Sequence, residues 1–183
     1  PNFLDPKIPT VAQLLKKAGY TTIHVGKWHL GKPSPNVPGL EPYGFDLARW
    51  IDCQEEGRNL WSVKERPVAA RELVDATIQT LKGIKDRPFY CQLWFNDPHA
   101  PLAPSAEQMA TLRRQVPEGF TSPFMVYAAT VIEMDRQIGR LLDALDELGL
   151  KDNTLVIFSS DNGPEDIDIG NASWSGYGSA GPL

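Results

Sequence analysis

Cysteine is scarce in this chain: two in 183 residues, Cys53 and Cys91. Two thiols exclude a disulfide framework, and their spacing matches no zinc pattern. No apolar stretch reaches the roughly 18 residues of a membrane span. Blocks of Lys or Arg are absent and the formal net charge is −5, which argues against a basic nucleic-acid-binding face. Histidine is limited to three, there is no internal repeat, and no low-complexity segment interrupts the pattern. None of these absences removes the capacity to fold. A chain of this length buries roughly 70% of its unfolded surface, and 42% hydrophobic residues suffice for a core.

What is present is an alternation of helices and apolar strands. Thr10 caps a helix with Val11, Leu14, Leu15 and Ala18 at i, i+3, i+4, i+7 spacing, and Gly19 ends it. The β-branched run Thr21 to Val25 predicts a strand. Prolines and glycines from Gly31 to Gly44 predict an irregular loop, and Asp46 to Trp61 an aromatic-rich excursion with a short strand. Val68 to Ile84 reads as a helix with Leu73, Thr77, Ile78 and Leu81 on one face. A strand Phe89 to Phe95 follows, then a Pro-rich loop and a short helix from Ala106 to Arg114. The longest periodic segment, Pro123 to Leu148, has a stripe of Val131, Met134, Ile138, Leu141, Leu142, Leu145 and Leu148, closed by Gly149. A last apolar strand is expected at Thr154 to Ser159. The whole predicts an α/β layered fold with a largely parallel sheet flanked by helices.

Three of the apolar runs, each reading as a buried strand, stop at clusters of polar, ionisable residues, and ligands of open α/β sheets bind at the C-terminal ends of strands. Gly26-Lys27-Trp28-His29 places a compact cation and an imidazole two residues apart, a pairing suited to an oxyanion substrate. A surface lysine and a backbone-satisfied histidine is the equal alternative. In Asn96-Asp97-Pro98-His99-Ala100-Pro101, prolines hold His99 in an extended turn rather than a helix. A structural loop histidine is the competing reading. Ser160-Asp161-Asn162-Gly163 is either a plain turn or a pair of oxygen ligands for a hard cation. Two ligands fall short of the about six to eight that Ca²⁺ takes, and no second acidic pair stands at another strand end. His24, inside its strand, reads as a core or supporting histidine. Glu133 and Asp135 read as capping or salt-bridging groups, and Trp174 and Tyr177 as pocket-lining or ordinary loop aromatics.

Taken together, these motifs resemble a known family. Gly19 to Gly31, with Gly-Lys-Trp-His at its centre, looks like the second signature of the sulfatases. Asp97-Pro98-His99-Ala100-Pro101 resembles that family's histidine loop, and Asp161-Asn162-Gly163 its metal-binding step. The resemblance spans essentially the whole chain. It implies an alkaline-phosphatase-like α/β fold and hydrolysis of a sulfate monoester, arylsulfatase-like, with a sulfated small molecule or glycan as partner. It further implies a formylglycine made from a cysteine in C-x-P-S-R. Lys27 would contact the sulfate, His29 would act as base, and His99 would help the leaving oxygen depart. Asp161 and Asn162 would bind Ca²⁺, with Mg²⁺ second. An extracytoplasmic compartment follows from the resemblance alone.

The departures are specific. Cys53 is followed by Gln-Glu-Glu and Cys91 by Gln-Leu-Trp, so neither is the modified cysteine. The family's early Asp-Asp pair is missing, as is the lysine expected after Gly176 to Gly181. Because the chain opens on Pro1 and closes on Gly181-Pro182-Leu183, residues 1–183 are expected to be the central portion of an N-terminal sulfatase catalytic domain, truncated at both ends. The isolated fragment would then be inactive. Two alternatives remain: a phosphoester or phosphonate hydrolase of the same superfamily, and a noncatalytic sulfate-binding module.

Overall fold

In the computed structural model, which describes residues 3–31, 39–119 and 121–163, the first unit is built around one strand. β1 (Thr21–Gly26) follows α1 (Val11–Lys17), and a capping box starts that helix. Thr10 Oγ1 accepts the Gln13 N–H at 3.1 Å, and Gln13 Oε1 accepts the Thr10 N–H at 3.0 Å. Gly19, at φ +91°, then turns the chain into β1. β1 lies between two parallel partners, β2 (Leu47–Arg49) and β5 (Phe89–Trp94), in the order β2-β1-β5. Its register with β5 runs from Thr21↔Phe89 to Gly26↔Trp94, so the two strands end side by side.

A central parallel strand is buried on both faces, and Thr22 to Gly26 are all buried. The buried Thr22 satisfies its polar atoms on Asp46, whose carboxylate lies 2.8 Å from the hydroxyl and accepts the Thr22 N–H at 3.0 Å. Lys16 of α1 pairs with the same carboxylate at 2.7 Å and, with Thr22, holds it below the ordinary carboxylate range. His24, fully buried, meets Trp28, Phe45 and Trp94 edge-on, with ring centroids 5.0 to 5.4 Å away. That desolvation pushes its pKa down to about 4, so it is a neutral core residue. Trp28 joins Tyr43, Phe45, Leu40 and Ala12 in the apolar cluster. α2 (Ala69–Ile84) buries Leu73, Val74, Thr77 and Leu81.

Between β2 and α2 the chain makes a small hairpin, β3 (Gln54–Glu55) against β4 (Arg58–Asn59). Approaching and within it, four non-glycine residues adopt positive φ: Trp50 at 51°, Asp52 at 51°, Cys53 at 59° and Glu56 at 50°. The second unit comprises Leu60–Arg71 and the chain from Asn96 onward, and includes the first turn of α2. Its helices are α3 (Ala106–Arg113), started by a Ser105–Gln108 capping box, and α4 (Ser122–Glu147). Leu112, Met125 and Ala129 form its apolar cluster, with Met109 and Phe124 packed against them.

Three expectations need correction. Thr154 to Ser159 joins no sheet among the described residues, and Leu155, Val156, Ile157 and Phe158 are 85%, 54%, 78% and 74% exposed. Apolar composition favours a strand, but only a ladder partner makes one. In α1 the predicted stripe does not face inward: Val11 and Leu14 are exposed, and the small Ala12 meets the core instead. β5 is half-buried rather than buried, because it has one ladder partner among the described residues.

Gly26 has φ +104°, and a Cβ there would lie 2.1 Å from the Trp94 carbonyl oxygen. Gly26→Ala is therefore expected to cost at least about 3 kcal/mol in urea unfolding. Gly139→Ala, in α4 with nothing within 4 Å, should instead stabilise by about 0.5–1 kcal/mol. His24 makes a separate prediction. Between pH 6.5 and about 4 the unfolded chain protonates this residue and the folded chain does not, so stability falls as pH falls. Acidification through that window should cost wild type about 3 kcal/mol more than His24→Gln. Equal pH slopes in denaturant titrations would disprove it.

Candidate functional site

The end of β1 supplies the first part of the site. Gly26 has no side chain where the β5 backbone passes, and the next residue continues the ladder, Lys27 N–H donating to Trp94 O at 2.9 Å. Burial then alternates: Lys27 is half-buried, Trp28 is buried, and His29 is exposed. Trp28 anchors the segment in the aromatic core, so its two polar neighbours are carried on a fixed backbone. A third group, which the sequence did not single out, meets His29 and the Trp28 backbone. Asp52 Oδ1 stands 3.6 Å from His29 Nε2 and 3.4 Å from the Trp28 N–H. The Asp52 side chain is 16% exposed and that of His29 57%.

His99 lies in the second unit, in a tight turn closed by its own N–H donating to Asn96 O at 3.0 Å. Prolines bracket it, and both the Asp97–Pro98 and Ala100–Pro101 peptide bonds are cis. Its Nδ1 lies 2.7 Å from the Ala100 carbonyl. A carbonyl only accepts, so Nδ1 carries the hydrogen and Nε2 is the nitrogen that gains or gives a proton. Trp61 packs edge-on against the ring, 5.4 Å between centroids.

Arg66 holds this turn together. Its guanidinium is buried and donates from Nε to Pro101 O at 2.8 Å and from Nη2 to His99 O at 2.5 Å. Nη2 also lies 2.7 Å from Asp97 Oδ1, close but outside hydrogen-bond angles. Asn96 fixes the start of the turn by donating to Leu60 O at 3.0 Å. Burial pushes the Asp97 carboxyl up to about 6; Arg66 opposes that rise and Glu133 adds to it. Neither Arg66 nor Trp61 stands at a telling spacing from His99 in the sequence. Asp52 gave no signal either, since an acid in a turn is ordinary.

Asp161 and Asn162, the candidate metal ligands, are exposed in a bend. Ser160 Oγ donates to Asn162 O at 2.7 Å and Asn162 Nδ2 to Gly163 O at 2.6 Å. Their oxygens suit a hard cation in kind but not in number. Among the described residues no group of three His, Cys, Asp or Glu is placed to hold a metal ion. Neither cysteine fits a modified nucleophile: Cys53 is fully buried, and burial pushes the Cys91 thiol up to about 12. Trp174, Tyr177 and the stretch 176–181 lie outside the described residues. Lys27 and His29 thus share the end of β1 in the first unit, joined there by Asp52. His99, Asp161 and Asn162 belong to the second unit.

Replacing Arg66 tests the turn. Arg66→Met would leave Asp97 buried beside no guanidinium and the His99 and Pro101 carbonyls without this donor. A loss of about 3–5 kcal/mol is expected by chemical denaturation. Adding Asp97→Asn to that variant should recover part of the loss, because the uncompensated charge is then gone.

Comparison with known proteins places the chain among relatives. The sulfatase family model matches residues 2–178. Mouse N-acetylgalactosamine-6-sulfatase is 29% identical over 93% of this chain and 35% of its own length. Human arylsulfatase A is 29% identical over 91% of this chain and 38% of its own. A solved structure, BT4656 in complex with its substrate D-glucosamine-2-N,6-O-disulfate, superposes on 84% of this chain and 49% of its own, with TM-score 0.60 and 18% identity. The chain therefore spans little more than a third of the length of these two curated relatives. No helix among the described residues is long and apolar enough to cross a membrane. A match over nearly every residue, on an α/β fold of the alkaline-phosphatase-like type, leads to one conclusion: the chain belongs to the sulfatase family.

Proposed function

We propose that the protein hydrolyses a sulfate monoester, of arylsulfatase-like type, with Lys27, His29 and His99 handling the substrate. The observation that carries this reading is the end of β1. There a buried tryptophan fixes the backbone between a half-buried cation and an exposed imidazole, directly beyond a glycine that no other residue can replace without a clash. A family match over residues 2–178 supports the same chemistry.

Hydrolysis breaks the bond between sulfur and the ester oxygen, and the alcohol leaves with a proton while water supplies the replacing oxygen and hydrogen. Lys27 would balance the sulfate charge, an interaction strengthened by its partial burial. His29 would accept a proton. His99, held by its Nδ1–H on the Ala100 carbonyl, would donate from Nε2 to the departing oxygen and so must be protonated at that step. A formylglycine would supply the attacking oxygen, and no residue described here takes that role. Asp161 and Asn162 would contribute two oxygens to a Ca²⁺, or less readily a Mg²⁺, that polarises the sulfate. Sulfated small molecules or glycans are the proposed substrates, supported by the disulfated sugar bound to the structural neighbour. An extracytoplasmic location is proposed on the family alone.

The test is turnover of an aryl sulfate by the full-length protein, compared with the matching aryl phosphate. Sulfate should be preferred, and Lys27→Ala, His29→Ala and His99→Ala should each lower kcat by about 10²–10⁴-fold. Chelation or Asp161→Ala should abolish turnover. Faster cleavage of the phosphate would instead make the protein a phosphoester hydrolase of the same superfamily, and tight sulfate binding without turnover a binding module.

A further inference from the structure

We propose that Asp52 is a positioning residue for His29, forming with it a carboxylate–imidazole pair at the end of β1. The inference rests on the reading of His29 as a proton acceptor, and starts from the backbone rather than from the side chains. Trp50, Asp52, Cys53 and Glu56 lie in left-handed conformations within seven residues. For a bulky residue such as Trp50 that conformation is a clear outlier, and such strain persists only where the surrounding structure over-determines it. The surrounding structure holds them there: Trp50 and Cys53 are buried, Cys53 N–H donates to Trp50 O at 2.7 Å, and Arg58 stacks over the Trp50 ring at 5.1 Å. The result of this strained turn is to bring one carboxylate against the segment that follows β1.

Asp52 is well placed for the role. One oxygen, Oδ1, accepts from the Trp28 N–H at 3.4 Å and faces His29 Nε2 at 3.6 Å. The Trp28 contact ties the carboxylate to the anchored backbone, so its position relative to His29 is set by the fold. A carboxylate at Nε2 favours the tautomer protonated there and makes Nδ1 the proton-accepting nitrogen. It also stabilises the imidazolium formed when that proton arrives. Lys27, on the same segment, acts in the opposite sense through its ammonium charge. Glu55, the nearby acid of β3, is engaged by Arg49.

The experiment is an ¹⁵N-NMR titration of the histidine side chains in the full-length protein, with His29 assigned by the resonance lost in His29→Gln. Asp52→Asn is the informative variant, because asparagine tolerates the left-handed conformation and keeps an oxygen for the Trp28 N–H. The His29 midpoint should fall by about one pH unit, tenfold in proton affinity, the lower end of the range for a partly exposed pair. In wild type, raising the salt concentration should lower the midpoint, a readout that needs no variant. An unmoved midpoint in either measurement overturns the proposal. In turnover assays, Asp52→Asn should shift the acidic limb of kcat/KM by the same amount, with Asp52→Glu restoring part of it. If wild type turns over no sulfate ester, the functional reading fails, while the NMR titration still decides the pair.

Discussion

The close approach of two backbones at Gly26 and Trp94 is the constraint on which the rest depends. β1 and β5 run parallel and in register to their last residues, and at that point the Trp94 carbonyl occupies the space of a side chain. Only glycine meets that steric demand, and its positive φ redirects the chain as the ladder ends. Lys27 then borrows one more ladder bond, Trp28 drops into the aromatic core, and His29 emerges. Chemistry-bearing residues are thereby delivered from the central, buried strand of the sheet.

The three histidines show how environment separates identical side chains. His24 is surrounded by aromatic edges and stays neutral because burial penalises its charged form. His29 is exposed beside a carboxylate held on a strained turn. His99 is oriented by a carbonyl on one ring nitrogen and an indole edge on its flank, within a turn pinned by the buried Arg66. A neutral core residue, an exposed ring facing a carboxylate and a ring held by a carbonyl result from the same imidazole. Burying a guanidinium is costly unless its donors are satisfied, and here the turn carbonyls of residues 99 and 101 accept from it.

Much of this was legible in the residues. The Thr10 cap, the short helix from residue 106, the parallel apolar strands at residues 21 and 89, and the long helix through residue 138 follow from local rules. The resemblance to the sulfatases rested on contiguous motifs, which need no tertiary information. What failed had a common cause. Whether Thr154 to Ser159 pairs as a strand, and which face of α1 is covered, depend on neighbours that periodicity does not encode.

By itself the sequence determined the alternation of helices and strands, the glycine at the end of β1, and the residue types that mark the family. These are local properties, written in propensity, spacing and short motifs. Only the tertiary structure decided which residues support the histidines. Asp52 reaches His29 from 23 positions away through a turn in forbidden-looking backbone geometry, and Arg66 reaches His99 from 33 positions away. Contacts of that separation arise when the fold closes loops, and a carboxylate or guanidinium acquires its role from the geometry that closure imposes.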